Sequence, residues 1–396
     1  MKIINRTKYI DFIRPFVNKD LIKVLVGSRR TGKTCVLLQL IEELKNIDTK
    51  ANIININKED ADFRHIANNI QLYDYVKSKS KQNAQNFVLI DEVQEIKNFE
   101  IALRELLVKK YDIYCTGSNA RMLSSDLATH LSGRYIEIPI YGLSFQEFMS
   151  FHGLDKNKDT LLKFIKYGGL PYLINLKLED DVVYQYHKNI YNTIILKDIV
   201  ARYSIRDVDF LDRLTEYLCD CLGSYVSSKK ITDFLKAQQV KLSINTVQNY
   251  LQYLVNSFFV DRVKRYDIQG KKLFEINDKY YFRDLGLKHS IVPYKPNDIS
   301  KVLENLVYNK LVSDHYKVNI GKLGDMEIDF IATKNNQTKY IQVAYQLTDD
   351  KVMEREFGNL LQIPDNYEKI VVSADDFATG NYKGIQHIHI LDFLTV

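Results

Sequence analysis

Short apolar runs alternate with helix-patterned segments through the first third of the chain. The runs occupy 22–26, 53–56, 87–90, 113–116 and 136–140. Between them, 35–44 and 99–108 place apolar residues three and four apart, the spacing of a helix with one buried face. Strands separated by helices pair through crossover connections, which predicts an α/β, doubly wound parallel sheet. The pattern then changes. From 145 to about 222 it is helical, with Leu211, Leu214, Leu218 and Leu222 on one face. Over 223–292, short helices lead to a helix at 246–255 and two strand-like runs, 259–266 and 272–276, across a turn at Gly270. Helix, helix, hairpin is winged-helix order. A helix at 301–315 then precedes strands at 327–333, 339–344 and 369–373, the first two joined by an Asn-rich turn. Four segments are expected: a core over 1–144, a helical region over 145–222, a winged-helix domain over 223–292 and a small α/β domain over 293–396.

Composition narrows this picture only a little. At 396 residues the chain is too long for one ordinary domain. No window is long and apolar enough to cross a membrane, so no membrane contact is expected. No apolar stretch follows the first five residues, so no secretory signal is expected. Cys35, Cys115, Cys219 and Cys221 have neither metal spacing nor a disulfide framework, which fits a reducing cytoplasm. A net charge of +5 permits nucleic-acid binding without arguing for it.

The chemistry is concentrated in the first segment. Gly27, Ser28, Arg29, Arg30, Thr31, Gly32, Lys33 and Thr34 follow an apolar strand, open a helix with Cys35, and fit the G-x-x-x-x-G-K-[ST] pattern. Glycines let backbone N–H groups turn inward around phosphate oxygens, and the helix start adds its positive end. Lys33 is expected on the β- and γ-phosphates of ATP, and Thr34 on Mg²⁺. The run 87–90 ends in Asp91 and Glu92, at the sheet edge where the P-loop lies. Asp91 is expected to help hold Mg²⁺ and Glu92 to polarise the attacking water. Downstream, Ser118, with Asn119 as second choice, is positioned to sense the γ-phosphate; a turn with Asn as a cap is the plain alternative. Arg134 follows Leu131-Ser132-Gly133 and could complete a neighbouring copy's site in a homo-oligomer, or be a surface arginine or internal ion pair.

This series of motifs, with Leu143-Ser144-Phe145-Gln146-Glu147-Phe148 beyond it, resembles the prokaryotic AAA-type ATPases of archaeal-ATPase kind. Gly168-Gly169-Leu170-Pro171-Tyr172 and Leu196-Lys197-Asp198-Ile199 resemble that family's middle region. The resemblance covers most of the chain. It implies an ATPase core with Arg6 near the base, followed by winged-helix and nuclease-like regions, and it supplies no substrate.

In the expected winged helix, Ile244, Val247, Leu251 and Leu254 form a buried stripe, and Asn245, Thr246, Gln248, Asn249 and Gln252 face outward. Amides and hydroxyls of this kind reach bases or phosphates, and Arg262, Lys264, Arg265, Lys271 and Lys272 on the hairpin suit the DNA backbone. A winged helix that docks a protein is the alternative. In the last segment, Glu304 on a helix, Asp329 on a strand and Gln342-Val343-Ala344 on the next resemble the layout of restriction-endonuclease-like nucleases. There a second acid and a lysine occupy the places of Gln342 and Ala344, so an inactive nuclease-like domain is expected. The sequence thus predicts a cytoplasmic, Mg²⁺-dependent ATPase that couples nucleotide state to DNA. A nucleotide-switched scaffold with a protein partner is the rival.

Overall fold

The computed structural model describes residues 4–119, 131, 133–237, 243–274, 277–347, 350–376 and 380–396. They fall into two compact units, Met1–Tyr141 with Asn256–Phe258, and Gly142–Val255 with Phe259–Val396.

The first unit is built on five strands: β1 (Ile22–Val26), β2 (Asn52–Asn57), β3 (Asn86–Asp91), β4 (Asp112–Gly117) and β5 (Tyr135–Pro139). Their order is β2-β3-β4-β1-β5, and every pairing is parallel. A parallel sheet is covered on both faces by its crossover helices, so its strands are apolar on both sides. Successive side chains show this. Val88 and Ile90 enter the core that holds α3 (Asn69–Lys79) and α4 (Phe99–Val108), whereas Phe87 and Leu89 enter the one that holds α1 (Thr7–Ile13) and α2 (Lys33–Ile47). The lysine inside β1 is tolerated because it is paired. Fully buried Lys23 donates to Asp112 at the start of β4, whose other oxygen takes the Tyr114 hydroxyl and the Asn18 N–H. The P-loop and the acids lie at the other, carboxyl ends of the strands.

The second unit begins with α5 (Phe145–His152), which starts on a capping box of Ser144 and Glu147, and α6 (Lys158–Tyr167). Next come α7 (Asp180–Thr193), a π-helical stretch Ile194–Ala201, and α8 (Val208–Asp220). Leu211, Leu214, Leu218 and Leu222 are all buried, as their spacing predicts. Helices α9 (Ser228–Ala237) and α10 (Ile244–Asn256) precede β6 (Val260–Val263), β7 (Arg265–Asp267), β8 (Lys272–Leu273) and β9 (Lys279–Phe282). The turn at Gly270 forms, with Asp267 Oδ1 accepting from the N–H groups of Gln269 and Gly270. The expected strand 259–266 divides in two, however. β6 pairs antiparallel with β9, while the β7–β8 hairpin joins a larger sheet. Residues 275–276 of the second expected run lie outside the described residues.

That sheet contains β10 (Lys317–Leu323), β11 (Met326–Lys334), β12 (Gln337–Ala344), β13 (Glu368–Ser373), β14 (Gly380–Tyr382) and β15 (Ile385–His389). The order is β14-β15-β13-β12-β11-β10-β7-β8. β11 and β12 turn on Asn335 and Asn336, both with positive φ, the geometry a two-residue hairpin requires. Helices α11 (Leu285–Ile291), α12 (Ile299–Ser313), α13 (Asp350–Leu361) and α14 (Ile390–Phe393) complete the unit, with α12 against β10 and β12.

Candidate nucleotide site

The site lies where β1, β3 and β4 end. Between β1 and α2 the chain turns through Gly27, Arg30 (φ 64°) and Gly32 (φ 93°). A Cβ on Gly27 would stand 2.2 Å from the Ile140 carbonyl oxygen, so only glycine fits there. The loop is braced from within, the Thr31 hydroxyl donating to the Ser28 carbonyl at 2.9 Å. Buried Lys33 folds its Nζ over the loop and donates to the carbonyls of Gly27 (3.0 Å) and Ser28 (2.8 Å). Ser28 Oγ is buried and has no hydrogen-bond partner among the described residues. Arg29 is half-buried, Arg30 and Thr34 are exposed, and Cys35 is half-buried, its thiol pKa raised by burial.

β3 brings Asp91 to this loop. Its Oδ2 accepts from the Thr34 hydroxyl at 2.8 Å, and its Oδ1 accepts from the Thr116 hydroxyl at 2.5 Å. Burial raises the pKa of Asp91, and the hydrogen bonds from Thr116 and Thr34 work against that rise. Glu92 follows in the left-handed conformation (φ 55°), its N–H donating to Thr116 Oγ1 at 2.9 Å. Glu92 Oε2 accepts from Gln94 Nε2 and, at 3.3 Å, from the Ser118 hydroxyl. Ser118 and Asn119 are buried at the end of β4.

The structure therefore brings Lys33, Thr34, Asp91, Glu92 and Ser118 together. It adds two residues that the motif reading passed over. Thr116 holds both Asp91 and the Glu92 backbone, and Gln94 holds the Glu92 side chain. Thr116 carried one available signal, a hydroxyl two residues before Ser118 at the end of an apolar run; only the β3–β4 pairing shows which acid it meets. Arg134 lies elsewhere. Its carbonyl accepts from the Ile22 N–H, at the start of β1, whereas the P-loop follows the other end of that strand. The exposed Arg134 side chain leaves from the edge of the sheet opposite its own P-loop. Ser132 lies outside the described residues.

In the second unit, Asn245, Gln248 and Asn249 are exposed on α10, opposite buried Val247, Leu251 and Leu254. Ile244, expected in the buried stripe, is exposed and lines the rim of a cleft beside α10. Gln248, Asn249 and Gln252 line a cleft of about 740 Å³ with Lys229, Lys230 and Arg262. Lys264, Lys271 and Lys272 are exposed. Arg265 is not: its guanidinium packs between the rings of Tyr225 (5.0 Å) and Phe274 (4.6 Å).

Glu304 on α12 and Asp329 on β11 converge, and an ammonium joins the cluster. Buried Lys279 of β9 donates to Glu304 at 2.8 Å and to Glu327 at 2.6 Å, and the Tyr281 hydroxyl donates to the same Glu304 oxygen. Burial opposes the charge of Lys279, yet Glu304, Asp329 and Glu327 together raise its pKa. Burial, and then Glu304, hold the Asp329 pKa well above the usual range. Asp329 Oδ2 accepts from the Val343 N–H, and Gln342 Oε1 accepts from the Asp329 N–H.

A P-loop on the second-to-edge strand of a five-stranded parallel sheet, with an acid pair two strands away, defines an AAA-type ATP-binding domain. The family model described as "AAA domain" matches residues 19–149, and one described as "Domain of unknown function (DUF8612)" matches residues 158–298. An uncharacterized protein of Haemophilus influenzae is 33% identical over 401 residues, covering 99% of this chain and 98% of that protein. An uncharacterized protein of Methanocaldococcus jannaschii is 32% identical over 364 residues, covering 88% and 79%. The chain belongs to the AAA-domain protein family that these two represent. Among solved structures, the Aeropyrum pernix ORC1 protein in complex with DNA overlaps 73% of this chain and 93% of its own at 11% identity, with a TM-score of 0.33, too distant to bear on function. Among the described residues, no helix is long and apolar enough to cross a membrane.

Proposed function

We propose that the chain is a Mg²⁺-dependent ATPase that couples nucleotide state to DNA binding. The observation that carries the ATPase reading is the chain of contacts Thr34–Asp91–Thr116–Glu92 beside Lys33. A hydroxyl and a carboxylate are the hard oxygen donors Mg²⁺ takes, with phosphate oxygens and water filling its remaining positions. Bound there, Mg²⁺ would neutralise charge on the β- and γ-phosphates. Lys33 exchanges its loop carbonyls for phosphate oxygens. The partnerless Ser28 hydroxyl lies in the same loop and suits a phosphate. Glu92 orients the attacking water as its base, and Gln94 and Ser118 fix its carboxylate meanwhile. Phosphate release from ATP with Mg²⁺ tests this. Wild-type turnover should disappear in Lys33→Ala, and wild-type protein that binds no ATP would overturn the reading.

Arg134, on the opposite sheet edge, serves a neighbouring copy's site in a homo-oligomer. Mixing Arg134→Ala with Glu92→Gln protein should then restore part of the turnover lost by each; no restoration in a confirmed oligomer would contradict it.

We further propose that α9, α10, β6 and β9 form a winged-helix-like DNA-binding module and that the sheet around β11 and β12 is an inactive nuclease-like fold. The exposed amides of α10 beside Lys229, Lys230 and Arg262 support the first. The ammonium within the acid cluster supports the second. DNA affinity should fall with rising salt, and charge reversal of Lys271 and Lys272 should weaken it and flatten that dependence. The clamped Arg265 and the hairpin built into the larger sheet favour the second reading, a protein-docking module. Undetectable DNA binding by nucleotide-loaded protein at low salt would decide for it.

A further inference from the structure

The resemblance to AAA-type ATPases puts Arg6 near the base. Arg6 is 3% exposed, and its Nη1 donates to the carbonyls of Thr31 (3.0 Å) and Tyr141 (2.9 Å). Nη2 reaches the Tyr9 hydroxyl at 3.4 Å, and the guanidinium lies 4.6 Å from the centre of the Tyr9 ring. The Tyr9 hydroxyl in turn accepts from the Tyr141 N–H at 3.1 Å. The Arg6 N–H donates to Gln39 Oε1 on α2, whose Nε2 donates back to the Ile4 carbonyl. Arg6 is thus fixed by α1 and α2 and shares its charge between a P-loop peptide and the Tyr141 carbonyl.

That peptide is the one between Thr31 and Gly32. A trans peptide is planar, with its C=O and N–H pointing in opposite directions. A guanidinium that grips the Thr31 oxygen therefore turns the Gly32 N–H away from itself. It also polarises the peptide, which makes that N–H a stronger donor. Gly32 adopts a positive φ and leads into Lys33 and α2, where a P-loop offers N–H groups to phosphate. Without the charge below it, this peptide is free to rotate, and the loop must be ordered when nucleotide arrives.

We propose that Arg6 is a positioning residue that pre-sets the Thr31–Gly32 peptide for phosphate, acting through the loop and not on the base. This rests on the ATP-binding reading of the same loop. It predicts that Arg6 affects phosphate binding equally whatever base is attached. The probes are ATP, GTP and inorganic tripolyphosphate, each titrated into wild type, Arg6→Lys and Arg6→Met, with the thermal midpoint of the nucleotide-free proteins measured alongside.

Lysine keeps the charge but cannot fork to two carbonyls. Arg6→Lys should weaken all three ligands by the same factor, about tenfold, the scale of one charge-assisted hydrogen bond. Arg6→Met should weaken them further. If Arg6→Met does not fold, the lysine variant alone decides. Loss confined to ATP would return Arg6 to the base and overturn the proposal. A lowered thermal midpoint with unchanged affinities would make Arg6 merely structural, and overturn it too. Wild-type protein that binds none of the three probes would instead refute the ATP reading beneath it.

Discussion

The two units each gather buried carboxylates, Asp91 at the end of β3 and Asp329 within β11, and they treat them in opposite ways. Asp91 in the first unit is held by two hydroxyls, Thr34 and Thr116, which satisfy its oxygens without neutralising its charge. Asp329 in the second unit lies with Glu304 and Glu327 around the ammonium of Lys279. The residue types are similar. What differs is where the countercharge comes from. A carboxylate supported by neutral donors keeps its attraction for a cation that arrives with a ligand. A cluster with its own lysine has spent that attraction within the fold. The comparison teaches that acid motifs are read correctly only with the nearest positive charge included.

The largest effect that can sharpen this contrast is catalytic. Glu92→Gln should retain ATP and lose turnover by about 10²–10⁴-fold, the usual contribution of a general base. Nucleotide titration and phosphate release measure the two separately. Wild-type turnover in this variant would show that the first unit's acids are not arranged for hydrolysis.

The next effect belongs to the second unit. Lys279→Met removes the countercharge and leaves the acids buried. Breaking such a buried pair costs about 3–5 kcal/mol. Hydrogen exchange at the β11 and β12 amides should accelerate, and the nucleotide affinity of the first unit should stay as it was. The sign of the pH dependence follows from Asp329, whose folded pKa is raised. The folded protein holds this proton where the unfolded chain has released it. The loss of stability therefore appears as pH rises above the ordinary aspartate value of 3.8. The variant's deficit should shrink as pH is lowered. A deficit that grows instead would mean that Lys279 is not the countercharge.

A smaller effect tests the neutral support of Asp91. Thr116→Val keeps the shape and removes the hydroxyl that donates to Asp91 and accepts from Glu92. Mg²⁺-dependent turnover should fall about tenfold, the scale of a hydrogen bond to a charged group. Because that bond lowers the pKa of Asp91, its loss should raise the pKa further.

The smallest effect is seen in the wild type. Burial raises the Asp91 pKa above its ordinary value, so protons compete with Mg²⁺ over a window shifted upward from that of a free aspartate. The Mg²⁺ concentration for half-maximal turnover should increase as pH is lowered into that window, and do so at higher pH in Thr116→Val.

The P-loop and its acids were legible because their chemistry is local. Gly27, Gly32, Lys33 and Thr34 are neighbours in sequence, and Asp91–Glu92 closes an apolar run whose place at the sheet edge follows from strand polarity. Thr116 was not legible as a partner of Asp91, since that depends on β4 lying beside β3. Arg6 is separated by 25 residues from the carbonyl it grips. The convergence of Glu304 and Asp329 was anticipated from their places on a helix and a strand. Lys279 was not, because it comes from β9, outside the α/β segment that the pattern marked off. The expected strand 259–266 failed for a similar reason. Apolar alternation gives a strand but not its partner, and Arg265 leaves the β6–β9 pairing to pack between Tyr225 and Phe274.

The most direct test counts divalent cations. With a non-hydrolysable ATP analogue and Mn²⁺ in place of Mg²⁺, electron paramagnetic resonance reports how many ions each chain holds. One Mn²⁺ per chain is expected, lost in Asp91→Asn and unchanged in Asp329→Asn. A second bound Mn²⁺ that Asp329→Asn removes, or a single one that survives Asp91→Asn, would contradict it.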